Sequence, residues 1–92
     1  MSGALIRNLR ERGFDFEFAT VIFEGPTLER DDTRRDYGER RVVAIGLAQD
    51  IAITVVYTDR AETGGEVVRR IISARLSNRN ERQAYSQTTS QR

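Results

Sequence analysis

The sequence has no cysteine, no histidine and no lysine, and its single proline is Pro26. Without cysteine there is no disulfide and no thiolate metal site. Without histidine the usual zinc ligand sets are gone, and so is the commonest general base at neutral pH. Acid–base chemistry must then come from Asp, Glu, Tyr or a perturbed arginine environment. Without lysine, all fifteen basic side chains are arginines. No apolar run approaches the roughly 18–20 residues of a membrane span. The opening "MSGALIRNLRERG" is broken by Arg7 after three apolar residues, unlike a signal peptide. A cytoplasmic protein that needs no cofactor is expected.

What is present is charge. The net charge of +1 hides an asymmetry. From Phe14 to Glu66 acids outnumber bases by twelve to six, whereas Val67 to Arg92 carries six arginines against Glu81 alone. A basic C-terminal third suits a polyanion or an acidic partner, and a solvated charged surface is the plainer alternative. At 92 residues the chain makes one domain, expected over 1–86 with a frayed polar tail at 87–92.

Hydrophobic periodicity gives the elements. Leu5 and Leu9 recur at i, i+4, so residues 2–12 read as an amphipathic helix ended by Gly13. In "FDFEFATVIFEGP" a helix over Asp15–Phe23, capped by Asp15 and closed by Gly25-Pro26, is preferred to a strand. A short edge strand is expected near Thr27–Arg30. The acid- and arginine-rich "RDDTRRD" then reads as a disordered loop, with a metal site as a minor alternative. "RRVVAIGLAQ", "IAITVVYTDR" and "EVVRRIISARL" read as strands, joined by turns at Asp50 and "AETGG". Asn78 and Glu81 form a capping box for a last helix to about Ser86. The fold class is therefore α+β: an antiparallel β-meander of about four strands with two N-terminal helices and one C-terminal helix. All helices are expected over one sheet face.

The arginines admit two readings. A guanidinium presents a planar donor pair matched to phosphate, so Arg60, Arg70, Arg75, Arg79 and Arg82 could grip an RNA backbone. Equally, Arg70 and Arg75 could pair with Asp59, Glu66 or Glu81. Tyr85 could stack on a base or turn toward the core. Strict alternation along the last strand places Arg69 with Arg75 on one face and Arg70 on the other. No Gly-rich phosphate loop, nucleophile elbow or metal-spaced carboxylate cluster is present in the sequence.

The order of four motifs carries a resemblance. "NLRERGFDFEFATVIFEGP", "RRVVAIGLA", "ITVVYTDR" and "RRIISARLSNRNERQAY" resemble the BrnT family of bacterial toxins over Asn8 to Tyr85. The matching positions are Asn8, Gly13 and Phe16, then Tyr57, Thr58 and Arg60, then Ile71–Arg75, and finally Glu81, Arg82 and Tyr85. The resemblance implies a RelE-like fold and a metal-independent endoribonuclease that cuts RNA by 2′-hydroxyl attack and inhibits translation. It implies neutralisation by a BrnA-type ribbon-helix-helix antitoxin, contact with DNA only through that antitoxin, and a dimer or heterotetramer. Carried over, Arg60 and Arg75 would hold the scissile phosphate, with Arg70, Arg79, Arg82 and Tyr85 along the RNA surface. The family's Lys-His pair is replaced here by Glu11-Arg12, leaving Glu11 as a candidate base beside Arg12. That departure also supports an alternative, a catalytically impaired member that binds antitoxin as a co-repressor module. The family usually carries a further strand ahead of this point, so an unpaired sheet edge is expected to invite a partner.

Overall fold

The computed structural model describes residues 15–90. The helix expected over residues 2–12, with Glu11 and Arg12, lies outside the described residues. Within them, helix α1 (Phe16–Ala19) runs into a 3-10 turn (Thr20–Glu24). Strands β1 (Leu28–Asp31), β2 (Val42–Ala48), β3 (Ile51–Ala61) and β4 (Val67–Leu76) follow, then helix α2 (Arg79–Ser90). The four strands form one antiparallel sheet in the order β1-β2-β3-β4. This is the expected meander.

Local chemistry explains the joints. Asp15 caps α1 by accepting from the Glu17 amide at 2.9 Å. Gly25 closes the 3-10 turn in an extended conformation just before Pro26. Ala48 and Ile51 pair directly, so β2 and β3 meet across Gln49-Asp50 alone. Both turn residues have positive φ, 50° and 66°, as a primed two-residue hairpin requires. Gly64 and Gly65 supply positive φ to the β3–β4 turn. The capping box forms in both directions: the Glu81 amide donates to Asn78 Oδ1 at 2.9 Å, and the Asn78 amide donates to Glu81 Oε1 at 2.8 Å. Helix α2 then continues to Ser90, about one turn past its expected end.

The helices do not share a face, contrary to expectation. One sheet face carries Ala44, Gly46, Ile53, Val55 and Tyr57, and packs beneath α1 and the 3-10 turn to form the main core with Ala19 and Ile22. Gly46 sits under Ile22, where an added Cβ would come 2.8 Å from the Ile22 Cβ. The central strand thus tolerates a glycine because another backbone approaches it closely. The opposite face carries Val43, Ile45, Thr54, Val56 and Thr58, and α2 lies over its β1–β2 side. Both faces of β2 are apolar, so each needs its own cover. Residues 42–46 of β2 are all buried, so the strand is covered on both faces.

A β-bulge resets the alternation of β4. Val56 pairs with Ser73, but the next residue, Tyr57, pairs with Ile71, so Ile72 is left out of the ladder. Arg75 lies opposite Thr54, Arg70 opposite Thr58, and Val68 opposite Arg60. Arg60, Arg70 and Arg75 therefore share the α2 face, and Arg69, opposite Asp59, lies on the core face. Strict alternation gave the reverse for Arg69 and Arg70, because an extra residue flips every side chain beyond it.

Candidate functional site

On the α2 face, β4 and the ends of β3 and β1 present a band of arginines. Arg75 is 53% exposed in its side chain and makes a two-pronged bond to Glu81, with Nη1–Oε1 and Nη2–Oε2 both 2.7 Å. Glu81 is held in turn at the start of α2 by the capping box. The Arg75 hydrogen bonds hold the Glu81 carboxyl down to about 2, against a desolvation that pushes it up. Behind this pair Thr54 and Ser77 share a buried hydroxyl–hydroxyl bond of 2.7 Å. The Arg70 side chain makes no hydrogen bond or ion pair among the described residues and is exposed. Arg60, 57% exposed, reaches Glu39 Oε1 at 3.4 Å, while Arg41 holds the other Glu39 oxygen at 3.1 Å. These two arginines lower the Glu39 pKa, Arg41 more than Arg60.

The β1–β2 connection completes the band and is ordered, not the disordered loop expected. The Asp32 side chain is fully buried and accepts from Arg34 Nε at 2.9 Å and Nη2 at 2.8 Å. The Tyr37 hydroxyl adds a longer bond at 3.3 Å, and the Arg41 guanidinium stacks 4.0 Å above the Tyr37 ring. The Arg34 bonds hold the Asp32 carboxyl well below the usual range despite its burial. A buried carboxylate demands partners, and this one organises the loop. Composition could not show this, because the residues that order the loop are the polar types that mark disorder. The Asp32, Arg34 and Tyr37 spacing was the only available signal.

The remaining candidates sit apart. Arg60 and Arg75 share the face, yet their β3 register positions, Arg60 and Thr54, are about 20 Å apart along the strand. They border the arginine band at its two ends. Arg79 is exposed at the start of α2, and Arg82 donates to the Ser77 carbonyl at 2.8 Å. Tyr85 is only 7% exposed, and its hydroxyl donates to the Pro26 carbonyl at 2.8 Å, so the ring faces the sheet and the core-facing alternative is the one seen. On the opposite face Arg69 is a structural cation. It stacks 3.9 Å from the Tyr57 ring and 4.8 Å from Phe23, and it forks onto Asp59 at 2.8 and 2.9 Å. Burial, then the bond to Glu29, pushes the Tyr57 hydroxyl up to about 12.

The sequence matches the family model for the ribonuclease toxin BrnT of type II toxin–antitoxin systems over residues 5–81. The chain belongs to the BrnT family. That match spans Glu11, Arg12, Arg60, Arg70, Arg75 and Arg79, while Arg82 and Tyr85 fall just beyond it. No curated protein and no solved structure matches the chain. Membership of the BrnT family implies an RNA target and an antitoxin partner. No helix among the described residues is long and apolar enough to cross a membrane, and among them no group of three or more acidic residues is placed to hold a metal ion.

Proposed function

We propose that the chain is a metal-independent endoribonuclease that binds single-stranded RNA across the α2 face of its sheet. A 2′-hydroxyl of the RNA attacks the adjacent phosphate, and the toxin inhibits translation in this way. The observation that carries this reading is the bulge at Ile72, which adds Arg70 to the exposed face that Arg60 and Arg75 already share. A surface of always-charged forks can bind phosphates and stabilise the charge that develops on a pentavalent centre. Its donors are guanidiniums, which neutralise phosphate without a bound cation. We further propose a RelE-like arrangement and a ribbon-helix-helix antitoxin of the BrnA type. That antitoxin covers the same face in a dimeric or heterotetrameric complex and brings the chain to DNA.

A second reading has its own support. Arg75 and Arg60 are each engaged by a carboxylate, Glu81 and Glu39, so part of the cationic charge is already answered. With Glu11-Arg12 in place of the family's Lys-His pair, this favours an impaired enzyme retained as an antitoxin-binding co-repressor.

Incubating the purified chain with RNA in EDTA, beside Arg60→Ala and Arg75→Ala, separates the two. Cleavage that survives EDTA, leaves a 2′,3′-cyclic phosphate and falls in the variants supports the enzyme. Products with a free 3′-hydroxyl count against 2′-hydroxyl attack. Absent cleavage with tight antitoxin binding supports the module.

A further inference from the structure

We propose that the cavity between helix α2 and strands β1 and β2 seats one unstacked base of the bound RNA, with Asn80 reading the edge of that base. The inference rests on the reading of the α2 face as the RNA-binding surface. It adds to that reading a source of base selectivity.

Local structure makes the cavity. On β1, Leu28 and Arg30 pair with Ile45 and Val43 of β2, so all four side chains lie on the α2 face. On α2, Asn80 and Ala84 stand at i, i+4 and turn one stripe toward these strands. Ala84 offers only a methyl where a larger side chain would fill the gap. What remains is a cavity of about 250 Å³ with Leu28, Val43, Ile45 and Ala84 as its apolar lining. An apolar cavity of about 150 Å³ can hold a benzene ring, so this one has room for a single base.

The mouth of the cavity is polar, and its donors are unspent. The Asn80 and Arg30 side chains both border it and are exposed. Neither makes a hydrogen bond or ion pair among the described residues. An amide offers an acceptor beside two donors, and a guanidinium offers a planar set of donors. Bases splayed out of a single strand are held by such groups, with ring faces against apolar or guanidinium surfaces and edges on hydrogen-bonding side chains. An apolar side chain of a protein partner would suit the floor but would cover the Asn80 amide without pairing it. A base suits both floor and rim.

Glu81 joins the cavity to the arginine band. It forms part of the cavity wall, and its carboxylate holds Arg75 through two bonds of 2.7 Å. A nucleotide carries base and phosphate on one ribose. The cavity and the exposed Arg75 guanidinium, linked through one residue, suit the two ends of such a unit.

The test is fluorescence anisotropy with labelled, 2′-O-methylated single strands, which cannot undergo 2′-hydroxyl attack. The strands are abasic except for one central A, C, G or U, and a wholly abasic strand is the reference. The protein is expected to bind at least one base-bearing strand roughly tenfold more tightly than the abasic strand. Ala84→Leu fills the cavity and is expected to remove that preference, leaving the affinity of the abasic strand and its salt dependence unchanged. Asn80→Ala is expected to narrow the differences among the four bases by roughly threefold or more. Equal binding of all five strands, or a preference that survives Ala84→Leu, overturns the base seat. The RNA-binding face still stands in that case if the abasic strand binds with a salt slope that falls in Arg70→Ala. Binding of every strand that is indifferent to Arg60→Ala, Arg70→Ala and Arg75→Ala overturns the face itself. Loss of antitoxin binding in Ala84→Leu, with no base preference in the parent, assigns the cavity to a protein partner and also overturns the seat. If Ala84→Leu does not fold, Asn80→Ala decides, because its side chain is exposed and unbonded, and unchanged discrimination among the bases overturns the proposal.

Discussion

Arg70 and Arg75 point to the same face of the sheet although they stand five positions apart, an odd number. The reason is Ile72, which stands outside the β3–β4 ladder and inverts the alternation on one side of it. The same irregularity sends the adjacent Arg69 to the opposite face, against Tyr57 and Phe23. Two consecutive arginines therefore do different work.

Arg69→Ala is expected to lower stability by about 1 kcal/mol, through loss of the stacking on Tyr57 and Phe23, and to leave RNA affinity unchanged. Arg70→Ala is expected to leave stability unchanged and to weaken RNA binding, with a salt slope lower by about 0.7. Urea denaturation and anisotropy on both variants check the pair. Interchanged phenotypes would mean that the faces have been assigned the wrong way round.

Gly46→Ala is expected to destabilise the domain by about 1–3 kcal/mol. The new methyl would meet Ile22 Cβ at 2.8 Å and Thr27 Cγ2 at 3.2 Å, so the 3-10 turn must lift from β2. Chemical denaturation reads the loss. A variant as stable as the parent would show that the turn does not pack against β2 as closely as described.

Glu81 links stability to pH. Its pKa is lowered from 4.5 to about 2 by the Arg75 bonds. A folded-state value below the unfolded one means that the contribution is complete above about 4.5 and fades as the pH falls toward about 2. Glu81→Gln keeps an acceptor for the Asn78 amide but cannot ionise. Its stability is expected to fall less steeply than that of the parent across this window. Some acid sensitivity persists, because Asp32, Glu39 and Asp59 are also held low by arginines. Parallel denaturation curves for the two proteins would refute a contribution from the Glu81–Arg75 pair.

Tyr85→Phe is expected to cost about 1 kcal/mol by leaving the Pro26 carbonyl without its donor. RNA affinity is expected to stay the same, since the ring lies against the sheet. A selective loss of RNA binding would instead place Tyr85 on the RNA surface.

The four strands, their two tight turns and the capping box at Asn78 and Glu81 were legible in the chain, because each is fixed by residues adjacent in sequence. β-branched runs favour extended backbone, glycines accept positive φ, and a carboxylate three residues past an asparagine closes a helix start. Charge sign was legible too, and the ordered motifs pointed to the BrnT family of ribonuclease toxins. Which face each arginine takes was not. That depended on one unpaired residue, Ile72, whose position in the ladder is set by how β3 and β4 pair across the sheet. The order in the β1–β2 connection depended on burial of Asp32, and burial is a property of the assembled chain. The placement of the helices on opposite faces followed from the apolar character of both sides of β2, each of which had to be shielded from water.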